Sequence, residues 1–227
     1  QTERGEAGSP KAYVSPAAQH DPLTATKMIN KLLMQGIEVH RAAAEFTHEG
    51  KVYDAGSFVV SMAQPKMGVI RYLLGRTFYP DNSYTRDAQG NPIRPYDMSA
   101  DVMAEFMGVR VDPVETAVTG TLSEVTAAIQ PAGKVARGRF GYVIDGRAND
   151  AFRAVNLLLD KNVAVRRVDQ PADGSIRAGD FVVANAPDAV VQDVARQTGV
   201  DFSALAVDPA RGSRDLKRQR IGMYQRY

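Results

Sequence analysis

Ala178-Gly179-Asp180-Phe181-Val182-Val183 repeats Ala55-Gly56-Ser57-Phe58-Val59-Val60. Each run passes from a small residue and a glycine into three apolar residues, the pattern of a turn entering a buried strand. The likeness extends outward. Gly141-Tyr142-Val143 answers to Ala12-Tyr13-Val14, and Asn156-Leu157-Leu158-Leu159 to Asn30-Lys31-Leu32-Leu33. Val163, Val165 and Arg167 answer to Ile37, Val39 and Arg41 at the same separation from the preceding helix. After the strand, Pro187 to Thr198 reads as a helix with Val190, Val191 and Val194 on one face and Gly199 at its end. Pro65 to Leu74, closed by Gly75, holds the same place in the first half. The spacing changes by three residues in each flanking loop, where insertion costs little.

These correspondences predict an internal duplication of a strand–helix–strand–strand–helix unit. Alternation of strands and helices predicts the α/β class: two tandem similar α/β lobes, with mainly parallel sheets flanked by helices. Local punctuation supports the elements. Asp21-Pro22 is a helix start, with aspartate as N-cap and proline at the first helical position. Gly36 suits the helix end, and Glu49-Gly50 suits the turn of a hairpin over Phe46 to Tyr53.

The expected organisation is a flexible lead-in over 1–10, a first lobe over 11–113 with a long Pro/Asn/Gly-rich loop at 76–97, and a connecting segment over 114–138. A second lobe over 139–210 and a linker with a truncated strand over 211–227 complete it. A strand-like run from Arg220 to Tyr227 with no partner after it, and a start at Gln1, read as a piece of something longer.

Composition narrows the chemistry. The 227 residues are 44% hydrophobic and 24% charged, ordinary for a globular chain. Lys and Arg number 28 against 26 Asp and Glu, so nucleic-acid binding has no global electrostatic support. No apolar run approaches the ~18 residues of a membrane span. The absence of cysteine removes thiolate nucleophiles, disulfides and cysteine-ligated zinc.

Catalytic motifs are missing. The histidines are His20, His40 and His48; three residues on stand Leu23, Ala43 and Lys51, so no His-x-x-Glu zinc pair exists. There is no Gly-x-Ser-x-Gly elbow, no phosphate-binding loop and no dinucleotide fingerprint. No catalytic, metal or cofactor residue is therefore assigned. The loops that follow the first strand of each half are where α/β folds bind ligands. They give Asp21 in one half and Asp145 and Arg147 in the other as ligand-binding candidates, with Tyr96 and Asp97 of the long loop as residues that close over a cleft. The basic residues near the end, Arg211 to Arg226, read as a solvated linker.

Several phrases resemble a known family. They are Ala12-Tyr13-Val14-Ser15-Pro16 with Asp21-Pro22, Gly36-Ile37-Glu38-Val39-His40-Arg41-Ala42, Tyr53 to Val60 with Met62-Ala63-Gln64-Pro65, Tyr79-Pro80-Asp81, and Pro92 to Asp97 before Met107-Gly108-Val109. Together they are similar to the region downstream of the catalytic domain in large bacterial zinc carboxypeptidases, the carboxypeptidase A-like metallopeptidases. The resemblance implies a secreted or periplasmic parent that binds zinc in an upstream domain, with no cofactor in this chain. It implies a non-catalytic accessory region whose partners are the parent's catalytic domain and a peptide or cell-wall substrate. The alternative expectation is a small-ligand-binding two-lobed module without enzymatic activity.

Overall fold

The computed structural model of the chain describes residues 2–76, 80–93, 102–171, 176–207, 212–219 and 222–225. The chain divides into two compact units, Gln1–Ala128 and Ile129–Tyr227.

The first unit runs α1 (Thr2–Ala7), β1 (Ala12–Ser15), α2 (Pro22–Met34), β2 (His40–Ala42), β3 (Phe46–His48), β4 (Lys51–Tyr53), β5 (Phe58–Ser61), α3 (Met67–Leu74), α4 (Met103–Phe106), β6 (Asp112–Val114) and β7 (Leu122–Glu124). Its main sheet has the order β6-β1-β5-β2-β7. The second unit runs β8 (Tyr142–Ile144), α5 (Asn149–Asp160), β9 (Arg166–Val168), β10 (Phe181–Val183), α6 (Asp188–Thr198), β11 (Ser203–Ala204) and β12 (Ser213–Asp215). Its sheet has the order β11-β8-β10-β9-β12.

Every pairing between these strands is antiparallel, which corrects the expectation of mainly parallel sheets. The crossover β1–α2–β2 leaves a gap between its two strands, and β5 returns to fill it. β8–α5–β9 leaves the same gap for β10. Each unit is thus a β-α-β-β-α-β split βαβ arrangement with one further edge strand. Local alternation of strand and helix is the same whether the third strand inserts or adds outside, so alternation alone pointed to the wrong sheet. The continuous apolar strands misled for a second reason. β1 is buried on both faces because the β3–β4 hairpin covers the side away from the helices: Ala12, Val14 and Val59 pack with Tyr53 and Phe46.

The two sheets share a register. Tyr13 faces Val60 as Tyr142 faces Val183, and Arg41 faces Phe58 as Arg167 faces Phe181. The repeated Ala-Gly dipeptides are one turn used twice. Ser57 N–H donates to Asp54 O and Asp180 N–H to Arg177 O, both at 3.1 Å. Gly56 and Gly179 occupy the third position with φ of +92° and +97°, a region that L side chains avoid.

Helix ends follow local chemistry. Leu23 and Thr24 N–H donate to Asp21 Oδ1 at 3.1 and 3.0 Å, capping α2. The helices bury Met28, Ile29, Leu32, Ile70 and Leu74 in one unit and Leu158, Val191 and Val194 in the other. α5 packs against α6, whereas α3 packs against the short α4. Residues 129–138 lie along the second unit, with Phe202 N–H donating to Lys134 O at 2.7 Å. The basic run expected as a linker contributes β12 to a sheet edge through Arg214. Among the described residues no helix is long and apolar enough to cross a membrane.

Candidate functional site: the Tyr13 cavity

A cavity of about 960 Å³ opens in the first unit between the end of α3, α4 and the edge strand β6. Its apolar wall includes Leu74, Val102, Ala104, Val109 and Pro113. Tyr13, at the centre of β1, faces it from the helix side of the sheet and is only 3% exposed. Its hydroxyl comes so close to the chain that a Cβ on Gly75 would stand 2.8 Å from it. Gly75 is therefore at the one place where α3 can end against this phenol.

The Tyr13 hydroxyl has no hydrogen-bond partner among the described residues. The oxygen is not sealed in the core, since Ser213 Oγ is the one fully buried side-chain polar atom without a partner among the described residues. The repeat supplies the comparison. Tyr142, at the same register position and 1% exposed, donates to Asp188 Oδ1 at 2.6 Å, at the start of α6. The first unit has no carboxylate at the start of α3. One tyrosine is tied internally; its counterpart opens into a cavity.

Two charged side chains line the cavity together with Tyr13. Arg71 Nη2 donates to Ser9 O at 2.6 Å and has no carboxylate partner among the described residues. Ser9 Oγ donates to Glu115, which likewise has no cation within ion-pair distance among the described residues. Burial raises the Tyr13 pKa, Arg71 lowers it and Glu115 raises it, with a net rise, so the phenol stays protonated and able to donate. The rim carries two further pairs: Arg76 with Glu105, and Arg110 Nη2 with Asp112 Oδ2 at 2.8 Å.

The walls are held from outside. Glu49, at the hairpin tip, accepts from Glu115 N–H at 2.7 Å and from Thr116 N–H at 2.8 Å. Gln19, in the loop after β1, accepts from Arg110 N–H and donates to Arg110 O, both at 2.9 Å.

The candidates named from sequence fall elsewhere. Asp21 is 7% exposed and is the α2 cap, with Thr24 Oγ1 also donating to it at 2.7 Å. Asp145 pairs with Arg147 at 2.7 Å and with Arg177 at 2.9 Å. Burial alone would raise the Asp145 pKa, but the two arginines outweigh it and hold the carboxyl well below the usual range. Tyr96 and Asp97 lie outside the described residues. Sequence reasoning passed over Tyr13, Arg71 and Glu115. The available signal was the Tyr13/Tyr142 correspondence, which it used only to align the halves.

His48 Nε2 is 3.2 Å from Thr116 O and 3.1 Å from its hydroxyl, and His40 lies on β2. Among the described residues no group of three or more His, Cys, Asp or Glu side chains is placed to hold a metal ion. Comparisons of the chain with protein-family models, with curated proteins and with solved structures find no match.

Proposed function

We propose that the first unit is a small-ligand-binding module and that the Tyr13 cavity is its site. The observation that carries this is the Tyr13 hydroxyl, which opens onto the cavity with no hydrogen-bond partner among the described residues, whereas Tyr142 at the matching position donates to Asp188. A donor that faces a cavity without an internal acceptor is free to bond a ligand acceptor. The apolar wall and the few convergent polar groups have the make-up of small-molecule sites.

Thermal shift with a panel of amino acids, organic acids, amines and sugars tests it. A true ligand at 100 times its Kd stabilises by about 2.7 kcal/mol. That stabilisation should shrink in Tyr13→Phe. A panel without any stabilising compound would remove the proposal.

The second reading is an accessory region that supports the catalytic domain of a zinc carboxypeptidase-like parent or positions its peptide or cell-wall substrate. What favours it is the set of family phrases from Ala12 to Val109, together with the lack of any position that matches the family's zinc ligands. Secretion or periplasmic export belongs to this reading. Sequencing the source gene upstream decides it: a His-x-x-Glu with a later histidine supports it, and a reading frame lacking them overturns it.

A further inference from the structure

The charges around Tyr13 specify more than a generic ligand. The described residues lining the cavity carry three arginines, Arg71, Arg76 and Arg110, and three carboxylates, Glu105, Asp112 and Glu115. The rim pairs neutralise two of each, as Arg76 with Glu105 and Arg110 with Asp112. Arg71 and Glu115 remain, both anchored on Ser9: one through its carbonyl, the other through its hydroxyl. A ligand anion alone would satisfy Arg71 and face Glu115 as a like charge. A cation alone would do the reverse. Both side chains are exposed, and a ligand that carries both charges pairs with the two at once.

We infer that the ligand is a free α-amino acid with an apolar side chain, its carboxylate meeting Arg71 and the Tyr13 hydroxyl and its ammonium meeting Glu115. The inference rests on the ligand-binding reading above. Both side chains are held on the single residue Ser9, so a ligand that meets both carries its opposite charges close together, as on one α-carbon. The apolar side chain lies on Leu74, Val102 and Val109. A guanidinium and a phenol O–H are suited to two carboxylate oxygens, since charge-assisted hydrogen bonds are the stronger kind.

Calorimetric titration of the full chain with leucine, N-acetylleucine and leucinamide tests the charge requirement. Leucine should bind, and the two blocked compounds should bind at least tenfold more weakly. Glu115→Gln should lose the preference for leucine over N-acetylleucine, because the carboxylate that rewards the ammonium is gone. Tyr13→Phe, which keeps the ring, should weaken leucine by about tenfold, the loss of one hydrogen bond to a charged group. Equal binding of leucine and a blocked form overturns the amino-acid assignment while leaving the ligand-binding reading intact. Binding of another compound class with no response to leucine does the same. Failure of every compound in the wider panel overturns both.

Discussion

The backbone N–H of Gly146 donates to Asp180 Oδ1 at 3.0 Å. The first unit repeats the arrangement with a different acceptor: Ala17 N–H donates to Ser57 Oγ, also at 3.0 Å. In each sheet the residue before the central strand reaches across to lock the loop that leaves the neighbouring strand. Both acceptors are buried, Ser57 at 0% and Asp180 at 3% exposure. Asp180 also takes the Arg177 N–H at 2.9 Å.

Asp180→Ala leaves these two donors without an acceptor, and it should cost about 1–3 kcal/mol in urea unfolding. Asp180→Ser should cost less, because Ser57 shows that a hydroxyl suffices in the same turn. If alanine and serine are equally damaging, the hydrogen bond is not the source of the loss.

The two tyrosines should respond differently to removal of one oxygen. Tyr142→Phe breaks the 2.6 Å bond to Asp188, and should destabilise by about 1 kcal/mol. Tyr13→Phe removes a hydroxyl that has no partner among the described residues, so in ligand-free protein it should be neutral or slightly stabilising. Equal losses in the two variants would mean that the Tyr13 hydroxyl is bonded in solution.

Much of the local structure is legible in the residues. Asp21-Pro22 starts α2, Gly75 and Gly199 end α3 and α6, and the Ala-Gly turns enter β5 and β10. These features depend on chemistry within a few residues of chain. Sheet order does not. Whether β5 inserts beside β1 or adds beyond β2 is decided by pairing across about 45 residues, and no short-range signal in Phe58-Val59-Val60 records it. The candidate site depends on the same expectation. Asp21, Asp145 and Arg147 are candidates under the rule that ligands bind past the strand ends of parallel sheets, and the antiparallel sheets do not supply that rule's basis. The Tyr13 cavity depends on where α3 stops and where 102–115 returns, both tertiary events. The tyrosine itself was visible; that one copy is tied and the other is not was invisible.

Tyr53 gives a stability change at alkaline pH. It is 1% exposed and donates to Asp112 Oδ2 at 3.1 Å. Burial first, then the charge of Asp112 and the bond to it, push the phenol up to about 12. A raised pKa means that the fold favours the protonated form. The stabilisation is complete below the unfolded value, near 10, and is lost as pH rises toward about 12. Tyr53→Phe should cost about 1 kcal/mol at neutral pH and should flatten the decline above pH ~10. Ultraviolet titration is the check: a full complement of tyrosines ionising at the ordinary value in folded protein would refute the assignment.

Glu49 joins backbone strain to the wall of the cavity. It sits at φ +48° beside Gly50 at +75° in the two-residue turn between β3 and β4. Glutamate is a poor choice for a left-handed position, where asparagine is better tolerated. Its side chain offers a reason: Oε1 accepts from the N–H of Glu115 and of Thr116 and from Thr116 Oγ1 at 2.9 Å. Burial would raise its pKa, but the Thr116 hydroxyl and the two amides outweigh this and lower it. The clamp therefore contributes at pH above the ordinary carboxylate range and is lost as pH falls through the lowered folded value. Glu49→Asn separates turn from clamp, since asparagine suits the backbone but is one methylene too short. The variant should keep the hairpin yet speed amide exchange at Glu115 and Thr116, with no change at Val182 in the other unit. Acidification of the wild type should produce the same local pattern. Leucine affinity should fall with it, because Glu115 is then no longer held against Ser9. Unchanged exchange at residues 115 and 116 would show that the hairpin tip does not hold the cavity wall.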